Sequence, residues 1–132
     1  MWKVTFEPDR RLVHLRLTDH VPAAQMRELA RAHDQALSAT AGQRFRVLAD
    51  LRGLFPLDAD AVTLFAEIKR IAADSRGFAG CAVLADSPTI AMQQHRTRRT
   101  TGSGEVITLD EREAKRFLAD DSGAPQPPSS SR

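Results

Sequence analysis

The feature that most constrains this chain is the alternation of two periods. Phe45-Arg46-Val47-Leu48-Ala49-Asp50 and Cys81-Ala82-Val83-Leu84 are short apolar runs that read as buried strands. Between them, from about Asp58 to Ser75, Ala61, Leu64, Phe65, Ile68, Ile71 and Ala72 recur at spacings of one, three and four, the stripe of a helix with one buried face. A strand, a helix and a second strand in that order return the chain to pair in the same direction, because parallel neighbours need a long crossover where antiparallel ones need only a turn.

The flanks extend the pattern. Trp2, Val4 and Phe6 alternate with Lys3, Thr5 and Glu7, and Pro8-Asp9-Arg10 supplies a turn. A second strand, about Arg11 to Thr18, puts Val13, Leu15 and Leu17 on one face and Leu12, His14 and Arg16 on the other, so the chain opens with an antiparallel hairpin. Met26, Leu29, Ala30, His33 and Leu37 mark a helix from Pro22 to about Thr40, with Gly42 to stop it. Asp58 is positioned to cap the second helix and Gly77 to end it. Ser87-Pro88 opens a third helix whose clear apolar residues are Ile90, Ala91 and Met92, so its later turns are expected to be exposed or frayed. Gly102-Ser103-Gly104 breaks that helix. Val106, Ile107 and Leu109 make a final strand, and Asp110 with Glu113 is spaced as a capping box before the stripe Ala114, Phe117 and Leu118.

The resulting order, ββαβαβαβα, predicts an α/β fold: a mostly parallel sheet with one antiparallel edge strand and helices packed on it. Residues 1–120 are expected to form one domain. The Pro- and Ser-rich segment 121–132 cannot bury enough apolar surface to offset the entropy of ordering, and is expected to be a disordered tail.

Composition removes several function classes. Nineteen basic against seventeen acidic residues leave a formal charge of only +2, too small an excess to predict a nucleic-acid partner. Cys81 stands alone, which excludes an internal disulfide framework and a multi-cysteine zinc site. His14, His20 and His95 lack metal-ligand spacing with one another or with Cys81, so neither metal nor cofactor is expected. No membrane-length apolar run and no leader pattern at Met1 point to a cytoplasmic protein.

Individual residues read mostly as structural. Asp58 and Asp60 suit a helix N-terminus better than a catalytic carboxylate pair. His33 reads as a core residue with a satisfied nitrogen, and Cys81 as inert packing. Gly102-Ser103-Gly104 precedes a strand, so it lacks the strand-to-helix geometry of a phosphate cradle. Arg96, Arg98 and Arg99, beside His95, form a solvated basic face able to make weak contact with a phosphate, an anionic lipid headgroup or an acidic partner. Without interleaved aromatic residues it does not point to nucleic acid.

The run RVLADLRGLFPLDADAVTLF, residues 46–65, resembles the central segment of STAS domains: an apolar strand, Asp-Leu-Ser-Gly, an apolar loop, then Asp-Ser-Ser-Gly-Leu opening a helix. The element order matches that fold, and Glu113-Ala114 with Phe117-Leu118 looks like the terminal helix of the STAS/Sec14-like branch of bacterial proteins. The resemblance spans about residues 1–120 and implies a non-enzymatic regulatory module. Anti-sigma-factor antagonists of this type offer the loop and helix after the central strand to a partner kinase, and phosphorylation of a serine at the helix start abolishes docking. By position that serine is Asp60, the serine before it Ala59, the aspartate before both Asp58, and the Ser of Asp-Leu-Ser-Gly Arg52; the following glycine is Ala61. The acceptor hydroxyl is missing, so a standard phospho-switch is not expected.

The implied partner surface comprises Asp50, Arg52, Gly53, Leu54, Phe55, Asp58 and Asp60, offered to a regulatory kinase or anti-sigma-like factor. The alternative, from the Sec14-like branch, is a carrier of a lipid or small apolar ligand, which requires an enclosed apolar pocket. A homodimer stays open.

Overall fold

A computed structural model describes residues 1–101 and 104–119. The elements run β1 (Trp2–Glu7), β2 (Leu12–Leu17), α1 (Ala23–Ala39), β3 (Phe45–Asp50), α2 (Ala59–Asp74), β4 (Phe78–Leu84), α3 (Pro88–Thr101), β5 (Glu105–Thr108) and α4 (Glu111–Ala119). The strands form one sheet in the order β1-β2-β3-β4-β5, with β1 antiparallel to β2 and every other pair parallel. The α/β order expected from the two periods is the order observed. The Gly102-Ser103 part of the expected turn, residue 120 and the tail 121–132 lie outside the described residues.

Strand alternation sorts the core into two layers. Val13, Leu15, Leu17, Val47, Ala49, Cys81 and Val83 face α1, α2 and the start of α3, where they meet Met26, Leu29, Phe65, Ile68 and Ile90. Ala82 and Leu84, with Leu48 and Val106, face the other way and are covered by Ala114, Phe117 and Leu118 of α4. Three crossover helices on one face and the terminal helix on the other leave the polar half of the second face, Lys3, Thr5, His14 and Arg16, beside α4.

Most helix boundaries follow the expected chemistry. The Ala61 N–H donates to Asp58 Oδ1 at 2.8 Å, so Asp58 caps α2. Pro22 is the N-cap of α1 and not a residue of its first turn, and its carbonyl accepts from the Met26 N–H. Gly77, at φ 91°, could hold no side chain: a Cβ there would lie 2.2 Å from the Gln43 carbonyl oxygen.

Other details differ. β4 begins at Phe78, three residues earlier than Cys81, because Phe78 pairs with Phe45 across a register shift; within that irregular stretch Gly80 lies against the Phe117 ring. The last strand ends at Thr108, leaving Leu109 54% exposed. The Asp110–Glu113 capping box is replaced by a relay: the Asp110 N–H donates to Thr108 Oγ1, whose hydroxyl is bonded to the Glu113 carboxylate, while Asp110 Oδ1 accepts from Arg112 N–H. His33 is buried as expected, but neither ring nitrogen has a hydrogen-bond partner.

The later turns of α3 differ most. They are not uniformly exposed, because Gln94 and Thr97 are buried around Lys69 of α2. Lys69 Nζ donates to Gln94 Oε1 at 2.7 Å and Thr97 Oγ1 at 3.2 Å, and pairs with Glu105 Oε2 at 2.7 Å. Three acceptors match the three protons of an ammonium group, so a polar knot joins α2, α3 and β5 inside the protein.

Candidate functional site

The segment carrying the resemblance sits where β3 ends, and its sequence explains its shape. Leu51, Leu54 and Leu57 are buried and pin the loop to the core, which turns Arg52, Gly53, Phe55 and Pro56 outward. Backbone bonds then stitch it on both sides. Asp19 N–H donates to the Gly53 carbonyl and Phe55 N–H to the Asp19 carbonyl, each at 2.8 Å, fastening the loop to the segment after β2. Leu51 N–H reaches the Leu84 carbonyl at 2.7 Å, and Gly53 N–H reaches Asp86 Oδ2 at 3.1 Å. The Gln93 side-chain amide closes the far end, accepting from Leu57 N–H and donating to the Leu57 carbonyl at 3.1 and 2.9 Å. Gly53 holds φ 80°, a left-handed turn residue between these anchors.

Asp50 is the electrostatic centre beneath the loop. Its β2 neighbour in register is Arg16, whose Nη1 lies 2.7 Å from Oδ1 as an ion pair without hydrogen-bond alignment. Arg52 grips both oxygens, Nε to Oδ1 at 3.0 Å and Nη2 to Oδ2 at 2.9 Å, while its backbone N–H adds a third bond at 3.2 Å. Burial pushes the Asp50 carboxyl up, but the Arg52 hydrogen bonds and the charges of Arg16 and Arg52 outweigh it, and the group sits below the ordinary carboxylate value. The same hydrogen bonds hold the Arg52 guanidinium above its usual value against a smaller desolvation effect, with Glu111 and Asp86 adding to the shift. Arg52 also reaches Glu111 Oε1 at 3.5 Å, tying the loop to α4.

The expected site residues therefore divide. Arg52, Gly53, Phe55, Asp58 and Asp60 reach the surface together, Phe55 at 58% exposure and Asp60 in the first turn of α2. Asp50 and Leu54, each 4% exposed, lie underneath and shape that surface. The large apolar side chains left exposed among the described residues are Phe55 in this loop, Met1 just before β1, Leu109 just after β5 and Met92 early in α3. Asp58, Asp60, Asp86 and Glu111 supply an acidic rim. Arg96 and Arg98 stand apart on α3, exposed, with Arg96 Nη2 3.9 Å from Met92 Sδ; the Arg99 side chain lies outside the described residues.

No sequence motif singles out Lys69 and Glu105, and Gln94 and Thr97 fall in the turns of α3 expected to be exposed. The available signal was position: Lys69 follows Phe65 by four and Ile68 by one on an apolar stripe. The Cys81 thiol near this knot is pushed up to about 12, by burial first and then by the Glu105 charge, which makes it a poor nucleophile.

Structural comparison places this arrangement in a known fold. No protein-family model matches the chain, and no curated protein matches it in sequence. Among solved structures, an uncharacterized protein of the DUF3478 family with a SpoIIAA-like fold, from Shewanella loihica PV-4, superposes with a TM-score of 0.66 at 13% identity, covering 90% of this chain and 93% of that one. The anti-sigma factor antagonist SpoIIAA in its unphosphorylated form gives 0.59 at 16% identity, covering 91% and 100%. The fold is SpoIIAA-like, of the STAS type, as the 46–65 segment implied. Among the described residues, no helix is long and apolar enough to cross a membrane.

Proposed function

We propose that this chain is a non-enzymatic regulatory module that docks a protein partner through the edge formed by Arg52, Gly53, Phe55, Asp58 and Asp60, with Asp50 and Leu54 as its foundation. The observation that carries the reading is a loop held rigid by Asp19, Leu84, Asp86 and Gln93 while presenting a large exposed aromatic side chain, Phe55, inside an acidic rim. Aromatic anchors on pre-ordered backbone bind without the entropy cost of folding a loop on contact. The partner class follows from the likeness to an anti-sigma factor antagonist: a regulatory kinase or an anti-sigma-like factor. Docking works without serine phosphorylation, because Asp60 stands at the acceptor position and its single charge is fixed.

Phe55→Asp and Arg52→Glu, each shown to be folded by circular dichroism, test the surface in pull-down experiments from the source cell. Partners retained by the wild-type chain are expected to be lost from both. Retention of the same partners with unchanged apparent affinity would place the docking surface elsewhere.

A further inference from the structure

The opposite edge of the sheet carries a different chemistry. The β1–β2 turn and the segment between α1 and β3 meet there, because a parallel β2–β3 pair brings both strand starts to the same end. The Arg46 N–H donates to the Arg11 carbonyl at 3.0 Å and fastens the two segments together. Between them lies a cleft of about 220 Å³ lined by Asp9, Arg10, Arg11, Arg44, Phe45 and Arg46. A second cleft of about 190 Å³ adjoins it, and Arg11 and Arg44 line both.

Four arginines against one aspartate give the first cleft a formal charge of +3, whereas the whole chain carries +2, so all other residues together sum to −1. The basic excess noted in the sequence is therefore concentrated here. Arg10 pairs with Glu7 at 3.5 Å, and Arg46 Nη1 donates to the Leu118 carbonyl at 3.1 Å. Arg11 holds φ 51°, a left-handed backbone that an L side chain adopts only where its surroundings enforce it.

We infer that this arginine cleft binds a phosphate group, either free or as the terminal monoester of a larger molecule. Guanidinium forks match tetrahedral oxyanions in geometry as well as charge, and several around one concavity let a dianion exchange its water for charge-assisted hydrogen bonds. Size limits the ligand. The cleft falls below the roughly 300–1,000 Å³ of pockets that enclose drug-sized molecules, so it holds the phosphate group itself, and the rest of a larger molecule would extend outside it. The site lies at the other end of the strands from the docking edge and stands independently of that function.

Inorganic phosphate is the probe. Titrated into the full chain at constant ionic strength, it is expected to give saturable amide shift changes concentrated on residues 9–11 and 43–46, with no matching response to chloride. The Arg11→Gln, Arg44→Gln double variant, shown to be folded by circular dichroism, should bind phosphate about tenfold or more weakly. The Arg11→Lys, Arg44→Lys pair keeps the charge but loses the fork, and weaker binding there too would support guanidinium recognition even if the glutamine pair fails to fold. Vesicles of phosphatidylcholine with and without phosphatidic acid separate the sources: binding that needs phosphatidic acid and the two arginines assigns a lipid headgroup, and phosphate saturation without vesicle binding assigns a soluble ligand. Shift changes spread evenly over all arginines, wild-type affinity in both double variants, or binding to a single-stranded oligonucleotide but not to phosphate would overturn the inference.

Discussion

Acid should destabilise this protein through His33. The ring lies in α1 at 1% exposure, with neither nitrogen bonded. Burial pulls its pKa down from the ordinary 6.5 to about 4, against a smaller opposing pull from Asp34. A folded-state value below the unfolded one means that the unfolded chain takes up the proton first. Stability is therefore full above pH 6.5 and falls as the pH drops toward 4, at about 1.4 kcal/mol per pH unit and about 3 kcal/mol across the window.

His33→Leu removes the titrating group while roughly keeping its volume and slightly improving helix preference, and it also deletes two buried, unbonded nitrogens. Such atoms cost about 1–3 kcal/mol when desolvated without a partner, so the variant should be more stable by about that much even at neutral pH. Urea unfolding midpoints from pH 7.5 to 4.5 provide the measurement, with a constant denaturant slope as the check that both states keep their exposed surface. The wild-type midpoint should fall below pH 6.5, and the variant's should stay nearly level until carboxylates begin to titrate. The stability that Asp50 adds through its lowered value is lost only at lower pH, in a separate window. A flat wild-type profile, or a variant profile of the same slope, would refute the assignment to His33.

Two further outcomes test the interior. Lys69→Met should cost about 3–5 kcal/mol because it strands the Glu105 carboxylate in the core, and Lys69→Met with Glu105→Leu should recover most of that; a single-variant loss under about 1 kcal/mol by chemical denaturation would show that water or rearrangement satisfies Glu105. Gly77→Ala should lower stability by about 2–3 kcal/mol, since its Cβ would meet the Gln43 carbonyl and φ 91° is unfavourable for alanine; an unchanged melting temperature would mean that the α1–β3 connection yields freely.

What was legible in the sequence divides along the range of the interactions. Strand and helix order could be read because alternation and helical stripes are local, and so could the Asp58 cap, whose donor lies three residues away. The α3 misreading shows the limit. Gln94 and Thr97 look like solvent-facing residues because polarity is the usual mark of exposure, yet here they complete the shell of a lysine 25 and 28 residues earlier in the chain. No local period encodes that match. Phe55, by contrast, was named as a partner contact from a positional resemblance, while its exposure follows from three neighbouring leucines whose spacing was already present in the sequence.

The two ends of the sheet also separate electrostatically. Asp58, Asp60, Asp86 and Glu111 rim the edge where the parallel strands end, and Arg10, Arg11, Arg44 and Arg46 line the edge where they begin. A six-residue strand such as β3 spans about 20 Å, more than twice the roughly 8 Å over which salt screens exposed charges at physiological ionic strength. Direct attraction between the edges is therefore negligible, and charge changes at Arg11 and Arg44 should leave docking at Phe55 untouched. Influence of one end on the other would have to pass through the sheet, where Asp50 at the end of β3 is held by Arg16 and Arg52, and Arg46 near its start is tied to the last turn of α4. That same helix reaches the docking edge through Glu111 and Arg52, so α4, like β3, has contacts to both ends.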